Sequence, residues 1–273
     1  MPAEPETRQS EVGAAVCRLA GRDVALLASD MHLGEHDPQT ASFFIDALDR
    51  EAPRITHLFL LGDLFEAWVG DDQDDPIVCM LIDRLNRLAR SGVQIGIVRG
   101  NRDFLLDAPF PDPDGQPTRF SQRSAATMLN DPCVIDCFGE AVMLAHGDAW
   151  CLDDLDYQRF RAQVRSTPWQ QQFLSRPRTE RQAIARAIRS ESEQKRELSD
   201  IDQAHVAALL SAEGIMRLIH GHTHQPGESM LSAPDAGRAA RRWVLPDWSA
   251  ADRRGGFLRL DRTGFHWVDP QRP

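Results

Sequence analysis

Five short apolar runs punctuate the chain, and each ends in Asp, His or Asn beside Gly. They are VALLASDMH (24–32), HLFLLGD (57–63), IGIVRGN (95–101), AVMLAHGD (141–148) and MRLIHGH (216–222). Runs of this length, rich in β-favouring residues, predict buried strands. Two stretches between them, TASFFIDALDR (40–50) and IVCMLIDRLNRLAR (77–90), carry apolar residues at three-to-four spacing and predict helices. The second closes on Ser91-Gly92, a helix stop. Alternating strands and helices indicate an α/β fold. In open sheets of this kind ligands bind beyond the carboxyl ends of the strands. In one parallel sheet those ends share an edge, so the five polar clusters would converge.

The pattern breaks over 152–212, which holds no strand-like run and predicts a helical insertion. A loop and a late strand (RRWVLPDWS) follow, and GFLRLDRTGFHWVD near the end predicts a β-hairpin. The polar, proline-containing residues 1–22 read as a flexible tail. The expected organisation is therefore a core of 23–151 and 213–273, interrupted by the insertion at 152–212.

Composition narrows the class. The chain has 273 residues, 42% of them hydrophobic and 26% charged, as expected of a globular protein. Its net charge of -10 argues against a general nucleic-acid binder. The charge is uneven. Residues 159–196 carry ten basic and three acidic side chains, so the rest of the chain sums to -17. That contrast makes the insertion a candidate lid, with a solvated helical hairpin as the plain alternative. Five cysteines at irregular spacing indicate a reducing compartment, and Cys133-x3-Cys137 reads as core. No apolar run reaches the roughly 18 residues of a membrane span, and the N-terminus lacks a signal-peptide pattern.

The strand-end clusters hold Asp30 and His32; Asp63; Asn101, Arg102 and Asp103; His146 and Asp148; and His220, His222 and His224. Singly, each is ordinary: a helix cap, a turn residue or a core histidine. Gathered together, carboxylates and imidazoles would shift one another's pKa values strongly unless divalent cations relieved the conflict. Nitrogen and oxygen donors with no CxxC thiolates suit Mn²⁺, Fe²⁺ or a dinuclear Zn/Mn site. Seven ligands exceed one tetrahedral ion and suit two ions about 3.5–4 Å apart that share a carboxylate.

Asp-x-His, Gly-Asp, Gly-Asn, His-Gly-Asp and Gly-His-x-His, in this order, resemble the calcineurin-like metallophosphoesterase superfamily. That implies a β-sandwich flanked by helices and a dinuclear metal site. ASDMHLG, LGDLFEAWVGDD, RGNRDFLL, HGD followed by Asp153-Asp154 and YQRFR, and IHGHTHQP narrow the resemblance to the UDP-2,3-diacylglucosamine hydrolase family, over residues 24–226. The resemblance implies a diphosphatase of lipid A synthesis that uses Mn²⁺ at the cytoplasmic face of the inner membrane. It would bind there peripherally, with no nucleic acid and no obligate protein partner. Its products would be UMP and 2,3-diacylglucosamine 1-phosphate, formed by attack of dimetal-bound hydroxide on the α-phosphorus.

Carried over by motif, Asp30, His32, Asp63 and His224 would bind one ion. Asp63, Asn101, His146 and His222 would bind the other, with Asp63 bridging. His220 and Asp148 would support these ligands, Asp148 by orienting an imidazole. Asn101, Arg102, Asp154, Ser192 and His222 would contact substrate, with Lys195 and Arg196 the nearest basic residues after Ser192. Catalytic roles fall to Asp63, Asn101, Arg102 and His222. Many superfamily members have Gly-Asn-His where this chain has Arg102. A departing phosphate monoester needs charge neutralisation more than a proton, and a planar guanidinium supplies it. Arg102 therefore favours a phosphoanhydride substrate.

In the insertion, Trp169, Phe173, Leu174, Ile184 and Ile188 offer an apolar cleft for acyl chains, and the arginines could face anionic headgroups. The same apolar residues could simply attach the insertion to the core. Two other readings remain at this point: another dimetal phosphodiesterase or pyrophosphatase, and a catalytically silent lipid-binding paralogue.

Overall fold

The computed structural model describes residues 13–111, 117–194, 199–232 and 239–271. In chain order the strands are β1 (Cys17–Leu19), β2 (Ala25–Ala28), β3 (His57–Leu61), β4 (Gln94–Val98), β5 (Thr127–Met128), β6 (Cys133–Cys137), β7 (Glu140–Ala145), β8 (Arg217–His220), β9 (Gly227–Leu231), β10 (Ala240–Val244), β11 (Phe257–Asp261) and β12 (Gly264–Val268). The α-helices are α1 (Pro38–Glu51), α2 (Pro76–Arg90), α3 (Phe120–Ser124), α4 (Leu155–Val164), α5 (Thr167–Leu174), α6 (Arg178–Gln194) and α7 (Gln203–Ala212). Both helices expected from spacing form, and each has an Asp cap. Asp37 accepts from the Thr40 amide (3.0 Å) and Asp75 from the Val78 amide (3.1 Å), with a proline opening each first turn.

The strands divide between two six-stranded sheets, ordered β1-β6-β7-β8-β10-β9 and β12-β11-β2-β3-β4-β5. The β-sandwich that the resemblance implies is borne out, and the single sheet edge read from the strand pattern alone is corrected. Three of the polar clusters follow the parallel strands β2, β3 and β4, and two follow the parallel pair β7 and β8 of the other sheet. The inner faces meet in an apolar layer that includes Leu27, Phe59, Val98, Ile135, Leu144, Ile219 and Leu258. On the outer faces, α1 and α2 cover Leu26, Leu58 and Ile97, while α7 covers Met143 and Leu218. This makes a four-layered sandwich whose sheet ends open on one side.

Two segments depart from the expected organisation. Within the supposed tail, β1 pairs in parallel with β6 and buries Leu19, so residues 17–19 belong to the sandwich. Three residues are too short a run to register as a strand in sequence. The 152–212 segment also divides physically. In α7, Val206, Ala207 and Leu210 pack on the sheet as core residues. In α5, Phe173 and Leu174 join the α1–α2 side of the core. Cys133 and Cys137 are buried and free, as expected of core residues.

Candidate active site

Asp30, His32, Asp63, Asn101, His146, His222 and His224 meet where the two sheets open. Five of them, Asp30, His32, Asp63, His222 and His224, adopt positive φ of 48–64°. Non-glycine residues occupy this region at an energetic cost, and they do so most often where function dictates the geometry. Here the sharp turn after each strand aims the side chain across the opening. The paired glycines serve close approach. A Cβ on Gly100 would overlap the Asp63 carboxylate, and one on Gly221 would overlap Asp30 and Ser29. Asp103 ties two of the loops together, accepting from the Gly100 and Leu64 amides at 2.7 Å each.

The side chains form two compact groups. In Asp30, His32 and His224, and again in Asp30, Asp63 and His146, the potential ligand atoms all lie within 4.8 Å of one another. Asp30 is common to both. Asp63 faces both sides as well: its Oδ1 is 3.6 Å from His146 Nε2 and its Oδ2 is 4.0 Å from His32 Nδ1. Asn101 Oδ1 lies 2.8 Å from His146 Nε2 and 2.9 Å from His222 Nδ1. His32 and His224 bring their Nε2 atoms to 3.2 Å.

This donor set fits divalent cations. His146 Nδ1 lies 2.9 Å from the Leu61 carbonyl and donates to it, so a neutral ring turns its Nε2 lone pair toward the oxygens of Asn101 and Asp63. Among the described residues, Asp30 Oδ1 and His32 Nδ1 are buried without a hydrogen-bond partner. More lone pairs thus converge on a common space than the surrounding donors satisfy, the situation a cation resolves. The titration behaviour agrees. Burial opposes protonation of His146, but Asp63, Asp30, Asp148 and Asp131 outweigh it and lift the imidazole to about 9. Burial lowers His222 to about 4, helped by the field of His146. Burial raises Asp103 to about 7, reinforced by Asp63. The cluster draws positive charge: the Arg102 guanidinium supplies part of it, its Nε 3.4 Å from Asp63 Oδ2, and a proton on His146 supplies more.

The supporting residues differ in part from expectation. His220 lies beside the cluster, its Nδ1 2.8 Å from the Gly221 carbonyl and its Nε2 accepting from Arg242 Nε at 2.8 Å. Asp148 does not orient a ligand imidazole. Its Oδ2 accepts from Tyr157 Oη (2.6 Å) and Arg161 Nε (2.7 Å), with Arg165 at 3.4 Å, and so anchors α4. For His146, the Leu61 carbonyl takes that orienting role. Sequence reading assigned no role to Tyr157, whose ring stacks on His222 at 6.1 Å, or to Glu66, which pairs with Arg102 at 2.6 Å. Both lie in the quoted motifs YQRFR and LFEAWVGDD, but nothing in their residue type alone marks a role.

A cleft of about 370 Å³ adjoins the cluster. Asn101, Arg102, Asp154 and His222 line it on the polar side, and Phe104, Phe160, Trp169, Phe173 and Ile188 on the apolar side. Trp169 stacks on Phe173 at 4.8 Å and tilts against Phe104 at 6.0 Å. Asp154 also caps α4, accepting from the Tyr157 amide at 3.0 Å. Ser192 lies in α6 with its side chain outside the described residues, and Lys195 and Arg196 lie outside them altogether. Among the described residues, no helix is long and apolar enough to cross a membrane.

Comparison with known proteins agrees with this geometry. The family model for calcineurin-like phosphoesterases matches residues 25–226. A UDP-2,3-diacylglucosamine hydrolase of Chromobacterium violaceum is 41% identical over 243 residues, covering 87% of this chain and 94% of the relative. Those of Stenotrophomonas maltophilia and Bordetella pertussis are each 38% identical, over 252 and 263 residues, covering 88% and 92% of this chain and 96% and 97% of theirs. The seven clustered residues and Arg102 all fall inside the matched span. The chain therefore belongs to the calcineurin-like phosphoesterases and, within them, to the UDP-2,3-diacylglucosamine hydrolases.

Proposed function

We infer that the chain hydrolyses the diphosphate of UDP-2,3-diacylglucosamine, releasing UMP and 2,3-diacylglucosamine 1-phosphate. The observation that carries this reading is the juxtaposition of a lone-pair cluster, a guanidinium and an apolar cleft in one opening. Asp30, His32, Asp63 and His224 would hold one divalent ion and Asp63, Asn101, His146 and His222 the other. Imidazole, carboxylate and amide donors suit Mn²⁺, Fe²⁺ or a mixed Zn/Mn pair, and the family resemblance favours Mn²⁺. When bound, two such ions lower the pKa of a water toward neutrality and neutralise phosphate oxygens.

The chain's own residues do the rest. Arg102 neutralises the charge that develops on the departing sugar phosphate, which leaves without needing a proton. His222 and Asn101 sit beside the scissile phosphorus. The apolar wall of Phe104, Trp169, Phe173 and Ile188 accepts acyl chain and excludes water. Asp154 contacts the sugar, together with Ser192, Lys195 and Arg196. The segment α4–α6 acts as the lid over this cleft. Access to a lipid substrate implies peripheral binding at the cytoplasmic face of the inner membrane. The exposed Leu155 at the start of α4, next to the cleft residue Asp154, supports such contact.

Hydrolysis in ¹⁸O-labelled water tests both substrate and site of attack. Attack at the uridine-side phosphorus breaks its bond to the bridging oxygen and leaves the label in UMP, read by phosphorus NMR. Label in the sugar phosphate, or no turnover of the lipid nucleotide by metal-replete protein, would refute the reading.

A further inference from the structure

Glu66 lies three residues beyond Asp63, on the loop that leaves β3. Its Oε2 accepts from Arg102 Nη1 at 2.6 Å. Its Oε1 forms an ion pair with Arg189 Nε on α6, and His32 Nδ1 is 3.8 Å from Oε2. Arg102 is in turn held at a second corner, since its Nε is 3.4 Å from Asp63 Oδ2 and its backbone amide donates to Asp63 Oδ1 at 2.9 Å. One carboxylate thus joins the core guanidinium to the helix that walls the cleft. Glu66, Arg102 and Arg189 all line that cleft.

Charge explains why the arrangement needs Glu66. A guanidinium beside Asp63 alone would turn onto that carboxylate and neutralise it. Glu66 draws Nη1 away, so Arg102 is stretched between two acids with its position fixed at two atoms. Arg189 then competes for the other oxygen of Glu66 and fixes the carboxylate plane. The three residues thus make a chain of contacts from α6 through Glu66 to Arg102.

We propose that Glu66 is a positioning residue that sets the Arg102 guanidinium for the departing phosphate and couples its placement to α6 through Arg189. This deepens the diphosphatase reading and rests on it. Glu66 need touch no reacting atom. Its effect passes through Arg102.

The test is a kinetic cycle on the full-length, Mn²⁺-loaded protein with the lipid nucleotide. Glu66→Gln should lower kcat by roughly 10- to 100-fold, the scale of a misplaced catalytic group, and move KM by less. Arg189→Ala should lower kcat in the same direction and less steeply. Glu66→Gln placed on Arg102→Ala should add no further loss, because the residue it positions is already gone. A merely structural role would give additive losses and a lower melting temperature, and either additivity or an unchanged kcat overturns the proposal. Metal content and circular dichroism show that each variant is folded and loaded.

A second readout needs no substrate. The Nε–H signal of Arg102 in ¹⁵N NMR, assigned by its loss in Arg102→Lys, should show a lower order parameter in Glu66→Gln than in the unaltered chain. Equal order parameters would overturn the positioning role. Failure of the unaltered protein to cleave the lipid nucleotide would instead count against the diphosphatase reading, and the NMR result would still decide the role of Glu66.

Discussion

The two sides of the cleft are built by different physics. On the core side, every clustered ligand sits within a few residues of a buried strand end, on a turn clamped by backbone bonds. Asp30 and His32 donate their amides to the carbonyls of Gly62 and Asp63 at 3.1 and 3.0 Å, and Asp103 ties the next two loops together. On the helical side, α6 docks through long side chains. Arg181 reaches Asp72, Arg178 reaches Asp74 and Arg189 reaches Glu66, while a short aromatic stack fills the gap behind them. Short side chains on strained turns give precision and tolerate no change. Arginines on a helix give attachment that can be weakened one contact at a time. The proposed chemistry therefore rests on the core side, and the shape of the cleft on the helical side.

The largest effect tests the core side. Asp63→Ala removes the carboxylate whose two oxygens face both groups of ligands. Turnover should fall by at least the roughly 10²–10³-fold typical of losing one preorganised charge-stabilising group. Metal content measured on the purified protein should fall with it. Full activity in a metal-replete Asp63→Ala protein would show that the cluster is not the reacting centre.

Next comes the attachment of the helix. Arg181 is almost wholly buried, its guanidinium forked onto both Asp72 oxygens and its Nε donating to the Arg176 carbonyl at 3.0 Å. Asp72→Ala would leave that charge without its counter-ion, at a cost of about 3 kcal/mol. The loss should be local. Hydrogen exchange should quicken in α6 and leave β3 and β4 protected. Uniform loosening of both regions would erase the distinction between the two sides.

How far the sequence reveals each side follows from the same contrast. The clustered positions were legible because a buried strand and its terminal polar residue are adjacent in the chain, and Asp-x-His or Gly-His-x-His compresses the geometry into a few letters. The division into two sheets was legible only through the family resemblance, which implies a sandwich; the strand pattern alone could not give it, since a buried strand looks alike in either sheet. Nor could that pattern give β1, whose three residues gain meaning only from β6, 116 residues from Cys17 to Cys133. Long-range side-chain partners were least visible. Glu66 with Arg189, and Asp148 with Tyr157 and Arg161, are ion pairs and hydrogen bonds whose spacing obeys no local period. The lack of strand-like runs over 152–212 did mark α7 as helical territory, but it could not say that this helix packs on a sheet while α6 walls a cleft.

A pH experiment separates the loop that receives α6 from the ligand cluster. Burial raises the Asp71 carboxyl to about 6 from an ordinary 3.8, although it accepts from the Phe120 amide (3.1 Å), the Trp68 indole (3.1 Å) and the Asp107 amide (3.3 Å). The folded chain therefore holds this proton more tightly than the unfolded one. Its contribution is fully favourable below pH 4 and is lost as pH rises through 6, by up to about 3 kcal/mol. Urea titrations at pH 4.5 and 6.5 should show Asp71→Asn gaining on the unaltered chain at the higher pH. The gain should be the same with Mn²⁺ and with chelator, because Asp71 is no part of the cluster. A gain that vanished on metal binding would place Asp71 under the control of the ligand side.

The smallest effect is expected at Arg178. Its Nη1 donates to the Asp72 carbonyl at 3.0 Å and pairs with Asp74 at 2.5 Å, yet the Asp74 side chain is 72% exposed. Exposed ion pairs contribute little because water and salt screen them. Asp74→Asn should thus shift the urea midpoint by an amount near experimental error and leave α6 protected from exchange. Asp72→Ala, two residues away and on the same helix–loop contact, should do neither. The contrast isolates burial as the variable: the same pair of residue types, arginine with aspartate, holds the helix where the guanidinium is out of water and merely decorates it where the carboxylate is not. If Asp74→Asn released α6 as fully as Asp72→Ala, attachment would depend on the summed charge of the loop, and high salt should then open the cleft in the unaltered protein as well.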